Sequence, residues 1–356
     1  MLYGVIMAGG SGTRLWPLSR TGAEKHFRTI GGSSLLIETF NRIKQAIPTS
    51  RILVITTQAQ RDSVASQLCP ELPLENIVAE PLAKGTLAAL SYATIRLIKN
   101  DPDAVLVAFP SDHKINDSQV FIKTLGAGLK FLAKNRVFIT FGIKPKQPLT
   151  GYGYIVAGDP QPSEIGLIFK IENFVEKPEK QKAEQLLSSG KAYWNSGIFA
   201  FRAKHFLDAL KEFHPERYAL FMKIYESLGT RQEEGITLST YQALQPISFD
   251  TAIMEKTKER VVVEAAFDWL DVGAFDALAE SLKDSGNGNR TEGDFIALDA
   301  KNIIASTDTG IIAVVGLSDI VVVRSGDAVL VADKKRAQDI KTLTENLKTQ
   351  GFERYL

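Results

Sequence analysis

One cysteine, Cys69, stands in a chain of 356 residues. A single thiol excludes an intrachain disulfide framework and argues against a thiolate zinc site. It fits a reducing compartment. No apolar run approaches membrane-spanning length, and the N-terminus lacks the charged flank and cleavage pattern of a signal peptide. These absences predict a soluble, cytoplasmic protein without a membrane partner. Neither charge is in excess: 42 Lys and Arg face 41 Asp and Glu, a formal net charge of +1. That balance argues against a protein holding nucleic acid through its backbone charge, although a local basic site fits inside a balanced chain. What is present is a core. Hydrophobic residues make up 44% and charged residues 23%, enough at this length for one large domain and a smaller one.

Nearly continuous apolar runs at 2–8, 51–56, 104–110 and 137–142 read as strands covered on both faces. Helical spacing separates them. The stretch 34–47 opens on a serine cap and places Leu36, Ile37, Phe40 and Ile43 on one side; 86–98 does the same with Leu87, Leu90, Ile95 and Ile98. The alternation predicts an α/β, Rossmann-like core with a mostly parallel, doubly wound sheet. Further on, 152–157, 167–176 and 197–201 read as antiparallel or mixed strands around a cleft. The stretches 204–213, 215–228 and 276–283 read as helices. The turn-rich DSGNGNR, 284–290, reads as a linker. Beyond it, Asp319 and Asp327 stand eight residues apart, each opening a short β-rich run. This suggests stacked coils, a small β-helix, closed by a helix over 334–347.

The N-terminal strand runs into AGGSGTRLWPLSR. Two known phosphate loops are missing here. A Walker A loop needs Gly-Lys-Ser/Thr at its end, and none is present. The dinucleotide fingerprint needs a third glycine, and Leu15 occupies that position. The strand is nevertheless followed by Gly9, Gly10 and Gly12, where the lack of Cβ lets backbone N–H groups close on an anion. Arg14 brings a planar charged fork and Lys25 a point charge, a combination suited to a polyphosphate. A tight turn with solvated basic residues is the plainer alternative. Trp16-Pro17, a rigid element just after the arginine, favours preorganised charge.

Together with FPSDH, TGYGYI, VEKP, WNSGIFAF, SFDTAIMEK and WLDVGAFDAL, this stretch resembles the sugar-1-phosphate nucleotidyltransferases, in the form seen in mannose-1-phosphate guanylyltransferases. The resemblance covers nearly the whole chain. It implies a Rossmann-like catalytic domain over 1–283 and a small left-handed β-helix domain over 284–356. It departs from the family pattern in EKHF around Lys25, where Pro-Lys-Gln is usual, and in KGTLAA at 84–89 in place of RNTAPA. Long relatives also carry a cupin-type isomerase domain for which this chain is too short, so isomerase activity is not expected.

The remaining motifs gain meaning from chemistry and from the resemblance. Asp112 ends a strand of an open sheet, where ligands bind; Asp271 sits where a strand meets a helix. Each also reads as a helix or turn cap. The resemblance gives both to Mg²⁺, which takes one or two carboxylates and substrate phosphates. His113 reads as structural, since Mg²⁺ prefers oxygen. Guanine offers two adjacent donors, N1–H and the 2-amino group, which one carboxylate accepts together; Glu80, before Pro81, is placed for this. By resemblance, Glu176 accepts from sugar hydroxyls and Lys177 meets the sugar phosphate. Asn195 suits a hexose hydroxyl, Gly153 lets the backbone approach a sugar, and Asp250 is a further candidate.

The expected reaction is GTP plus α-D-mannose 1-phosphate giving GDP-mannose and diphosphate, with Mg²⁺. Arg14, Lys25 and Lys177 are the expected catalytic residues. Nucleotide binding is expected from Ala8, Gly9, Gly10, Gly12, Thr13, Arg14, Lys25, Glu80, Thr86, Ser111 and Asp112. Sugar phosphate binding is expected from Gly153, Glu176, Lys177, Asn195 and Asp250, and metal binding from Asp112 and Asp271. The alternatives are another hexose-1-phosphate nucleotidyltransferase, such as one using glucose 1-phosphate and dTTP, and a non-catalytic regulatory subunit of the same fold. The resemblance also allows a homodimer, since relatives are often dimers.

Overall fold

The computed structural model describes all residues except 11, 21–24, 28, 31–32, 164–165 and 274, and leaves aside the side chains at 25, 29, 30, 276 and 338. The chain forms two compact units. The first comprises Met1–Gly9, Phe40–Pro110 and Ile115–Trp269; the second comprises Gly10–Thr39, Ser111–Lys114 and Leu270–Leu356.

The first unit is built on nine strands: β1 (Leu2–Ala8), β2 (Ile52–Thr57), β3 (Ile77–Glu80), β4 (Val105–Pro110), β5 (Phe138–Ile143), β6 (Tyr154–Pro160), β7 (Ile168–Val175), β8 (Ala192–Arg202) and β9 (Arg260–Glu264). Their order is β3-β2-β1-β4-β8-β5-β9-β7-β6. Only β8 and β7 run against the other seven, which are parallel in direction, as the continuous apolar runs imply. Ile6 of β1 lies between Val54 and Phe109 in register and is fully buried.

Helix α1 (Leu35–Ile43) is shorter than its apolar spacing implied, and Ser34 Oγ accepts from Ile37 N at 3.2 Å at its start. Helices α2 (Arg61–Leu68), α3 (Thr86–Ile98), α4 (Ser118–Lys134), α5 (Lys180–Ser188), α6 (Ala203–Phe213), α7 (Pro215–Ser227) and α8 (Glu233–Ala243) follow. The pattern at 86–98 predicts α3 to the residue; α4 was hidden by its internal Gly126 and Gly128. Gly128 lets that helix approach β5: a Cβ there would stand 3.1 Å from Phe141 Cζ. Asp117 caps α4, accepting from Val120 N at 2.9 Å.

The second unit carries the strands β10 (Lys283–Asp284), β11 (Arg290–Leu298), β12 (Ile304–Val315), β13 (Ile320–Ser325) and β14 (Ala328–Asp333), with α9 (Phe275–Ala279) before them and α10 (Ile340–Thr349) after. Strands β11, β12 and β13 pair in parallel, with Arg290, Ile304 and Val321 in one rung. This is the stacking expected of a β-helix-like domain. Two details are corrected. The stretch 284–290 is no linker: it is the turn of a hairpin in which Asp284 pairs with Arg290. Asp319 and Asp327 do not mark repeated coils, because β13 and β14 form an antiparallel hairpin. The coils turn instead at corners where Asn287, Asn302 and Asp319 all take positive φ (52°, 55° and 58°). Asn302 N donates to Asn287 O at 3.0 Å, and the Asn302 side-chain amide donates to Asp319. Short polar side chains of this type tolerate the left-handed region best after glycine. The expected helix at 276–283 is shortened to α9, since Lys283 is drawn into β10, and the closing helix begins as a 3₁₀ turn over Lys334–Asp339.

In the centre of the large sheet Gly142 admits no side chain. A Cβ there would stand 2.6 Å from Val262 Cγ2 and 2.7 Å from Tyr193 Cβ. Gly142→Ala is expected to destabilise the first unit by about 1–3 kcal/mol through overpacking, read as a lower midpoint in chemical denaturation.

Candidate active site

In the second unit the glycine-rich stretch forms a 3₁₀ turn over Thr13–Leu15. Of its three glycines only Gly12 uses positive φ, at 62°, which a side chain would disfavour. Gly10 is exposed, and a Cβ there would meet nothing within 4 Å. The turn closes by Leu15 N donating to Gly12 O at 2.9 Å and Trp16 N donating to Thr13 O at 3.2 Å. Leu15 points into the core and is fully buried. Arg14, half-buried, has no hydrogen bond or ion pair among the described residues. Lys25 opens a 3₁₀ turn over Lys25–Phe27, and its side chain lies outside the described residues.

The same unit brings Asp112 and Asp271 together. The short strand His113–Lys114 pairs with Leu270–Asp271, putting Asp271 opposite His113. One ligand atom each from Asp112, His113 and Asp271 lies within 4.8 Å of the others. His113 Nε2 stands 3.8 Å from Asp112 Oδ1 and 3.9 Å from Asp271 Oδ1, beyond hydrogen-bond length. Both carboxylates are partly exposed, at 31% and 26%. Asp117, not Asp112, caps α4, and Asp271 lies in its short strand before α9. Two oxygen donors with room for exchangeable ligands suit a hard divalent cation. Gly273 keeps that space, since a Cβ there would lie 3.2 Å from both Asp271 oxygens. Ser111 is buried.

In the first unit β1 ends at Ala8, whose carbonyl accepts from Thr56 Oγ1 at 2.8 Å. At the end of β3, Glu80 is only 4% exposed. Its Oε1 accepts from Tyr241 Oη at 2.9 Å. Its Oε2 accepts nothing among the described residues and lies 3.9 Å from where a Cβ on Gly9 would be. Burial pushes the Glu80 carboxyl up to about 8, and the Tyr241 hydrogen bond opposes the rise. Thr86 Oγ1, at the start of α3, accepts from Phe249 N at 2.8 Å. It thereby fixes the residue before Asp250.

A second cluster of the first unit gathers Gly153, Glu176, Lys177, Asn195 and Asp250. Lys177 takes φ of 42°, a strained value for a residue with a long side chain, and its Nζ donates to Glu176 Oε1 at 2.6 Å. A Cβ on Gly153 would fall 2.5 Å from Glu176 Oε2, so glycine leaves that carboxylate its place. Asn195 Nδ2 donates to Asp250 Oδ1 at 2.6 Å, and Thr140 Oγ1 donates to Asn195 Oδ1 at 2.9 Å. Asp250 opens a π-helical turn over Asp250–Met254, a rare form frequent at functional sites. Desolvation and the nearby Glu176 charge raise its carboxyl to about 6. The sequence reading missed Tyr241, Thr140 and three aromatic residues. Tyr152 packs edge-on against Trp194 and Trp269, with ring centroids 5.1 and 5.2 Å away. The signal for these rings was their place inside the TGYGYI, WNSG and WLDVG motifs.

A family model for the nucleotidyl transferases matches residues 3–287, and one for the MannoseP isomerase/GMP-like beta-helix domain matches residues 293–347. The chain belongs to the nucleotidyl transferase family. It is 37% identical to the mannose-1-phosphate guanylyltransferase of Salmonella montevideo, over 99% of this chain and 75% of that protein. It is 35% identical to that of Escherichia coli, over 98% and 74%. The crystal structure of mannose-1-phosphate geranyltransferase from Thermus thermophilus superposes with a TM-score of 0.86 at 30% identity, covering 98% of this chain and 99% of that one. The Rossmann-like core, the β-helix-like C-terminal domain and the resemblance read from the motifs are thereby borne out.

The raised Glu80 carboxyl has a measurable consequence. Between its ordinary value of 4.5 and about 8 the folded chain retains a proton that the unfolded chain releases. Stability is therefore withdrawn as pH rises through this window. Glu80→Gln abolishes the effect. Its stability relative to wild type, followed by melting temperature, is expected to climb from pH 5 to pH 8 and then level off, a span on the order of a few kcal/mol.

Proposed function

We propose that the protein is a mannose-1-phosphate guanylyltransferase, making GDP-mannose and diphosphate from GTP and α-D-mannose 1-phosphate. The observation that carries this reading is the uncommitted Arg14 guanidinium on a turn that only glycine at position 12 accommodates without strain. Such a group suits the leaving end of a triphosphate. The names of the relatives from Salmonella and E. coli support the choice of base and sugar.

An oxygen of the sugar phosphate attacks the α-phosphorus. The bond to the bridging oxygen breaks in line, and its electron pair leaves with diphosphate. Arg14 and Lys25 neutralise the leaving group, while Gly9, Gly10, Gly12 and Thr13 offer main-chain N–H groups with Ala8 and Ser111 as further nucleotide-binding residues. Glu80 gives up its proton when guanine binds, so that Oε2 accepts from the base, and Thr86 serves the nucleotide by holding Phe249. Lys177 orients the attacking phosphate; Glu176, Asn195, Asp250 and the bare backbone of Gly153 receive the hexose. Asp112 and Asp271 would hold Mg²⁺, which when bound screens the repulsion between phosphate oxygens.

The proposed catalytic domain spans 1–283 and the β-helix domain 284–356. A homodimer is supported by Ile296, Leu298, Ile311 and Val315, which are 59–65% exposed on β11 and β12. Burying such a face against a second copy would remove it from water. A cytoplasmic location is supported by the lone Cys69. Among the described residues no helix is long and apolar enough to cross a membrane.

The test is diphosphate release from four nucleoside triphosphates paired with several hexose 1-phosphates, with and without Mg²⁺. GTP with mannose 1-phosphate and Mg²⁺ should give the highest kcat/KM, and a preference for dTTP with glucose 1-phosphate would refute the reading. Arg14→Ala is expected to lower kcat roughly 10²–10³-fold with its melting temperature unchanged.

A further inference from the structure

The residues that flank Arg14 are bound to the C-terminal part of the second unit. Trp16 Nε1 donates to Tyr355 O at 2.7 Å. Arg20 uses both arms of its fork: Nη1 donates to Asp327 Oδ1 at 2.7 Å and Nη2 to Ser325 O at 2.9 Å. Leu15 and Leu18 are buried in the same apolar cluster as Val321 and Ile340. Arg14, inside this pinned stretch, keeps its own fork uncommitted among the described residues.

The three polar contacts contribute modestly to stability. Asp327 is 66% exposed, where an ion pair contributes little. The indole makes a single hydrogen bond, to one carbonyl, a net contribution of about 1 kcal/mol. What they do well is fix direction. A backbone carbonyl meeting a planar fork, and another meeting a single N–H, define where the intervening 3₁₀ turn points.

We infer that Trp16 and Arg20 are positioning residues, which hold the Thr13–Leu15 turn on the C-terminal strands so that Arg14 is aimed before the triphosphate arrives. The inference rests on the role proposed for Arg14. A turn left to wander would have to be ordered at each binding event, and an ångström of misplacement at a charge-stabilising group is costly to rate. It also gives the β-helix-like domain a part in the reaction: its strands and the Glu353–Tyr355 turn are the bed on which the phosphate-binding segment lies.

The test compares wild type, Trp16→Phe, Arg20→Gln, Arg14→Ala and the Arg14→Ala/Trp16→Phe double variant. Each is assayed for diphosphate release, for binding of the nucleotide by titration calorimetry and for melting temperature. Trp16→Phe and Arg20→Gln should each lower kcat/KM for GTP about tenfold, with KM for the sugar phosphate as in wild type. Arg20→Gln should keep the wild-type melting temperature, whereas Trp16→Phe, which shrinks a buried side chain of the apolar cluster, should melt lower and is assayed well below its transition. In the Arg14→Ala background Trp16→Phe should cost less than about twofold, because it acts through the group already removed. Full additivity in the double variant, or wild-type kcat/KM in both single variants, overturns the inference. If the chain proves to use another nucleotide, the reading of base and sugar fails and the same split is read with that nucleotide. An Arg14→Ala variant as active as wild type overturns both Arg14's role and this inference.

Discussion

An apolar anchor governs the second unit: Leu15, Trp16 and Leu18, from the N-terminal end of the chain, are packed among Val272, Phe275, Ile304, Val321, Val323 and Ile340. Burial of this kind is non-directional and large, on the order of 1.5–3 kcal/mol for each big side chain. It makes residues 10–39 part of the same compact body as the β-helix-like coils. The polar features of that body follow from it. The Gly12 turn is the bend that lets Leu15 enter the core while Arg14 stays outside it. Asp112 and Asp271 are brought face to face by a two-residue ladder that joins segments more than 150 positions apart in the chain.

The first unit solves a different problem, that of keeping carboxylates usable where water is scarce. Glu80 has one oxygen satisfied by Tyr241 and one left open, and its charge is resisted by burial. Asp250 is satisfied by Asn195 but lies under the influence of Glu176. Glu176 is in turn balanced by Lys177, at the cost of a strained backbone. Such strain clusters at functional sites and persists only where the surroundings enforce it. The cluster is thus a chain of contacts, Lys177 to Glu176 and Thr140 to Asn195 to Asp250, closed around a carboxyl that burial holds up.

Much of this was legible in the residues. The strands β1, β2, β4 and β5 announced themselves as unbroken apolar runs, and α3 as an uninterrupted stripe, whereas β9 was not read as a strand. Short motifs led to Arg14, Asp112, Glu176, Asn195 and Asp271 because each lies in or beside a strand or the turn that follows one. The rest was illegible for physical reasons. Tyr241 meets Glu80 across 161 positions and belongs to a helix carrying several β-branched residues, so no local pattern pointed to it. Gly128 broke the pattern of α4 while serving its packing. The hairpins of the C-terminal domain hid in spacing: Asp327 sits in the turn of one hairpin, whereas the coil corners are at Asn287, Asn302 and Asp319, at unequal intervals.

Those corners decide where the domain tolerates change in length. Ser306 pairs with Glu292, yet the next rung joins Ile311 to Asp294, so β12 spends four residues where β11 spends one. The coil has already absorbed an excursion between corners without losing its stacking. An inserted residue at Asn302 would instead rotate the left-handed position out of line, and every coil after it would lose its seat. Variation in length should therefore collect along the sides of this domain, and its corners should stay rigid in number while the sides drift.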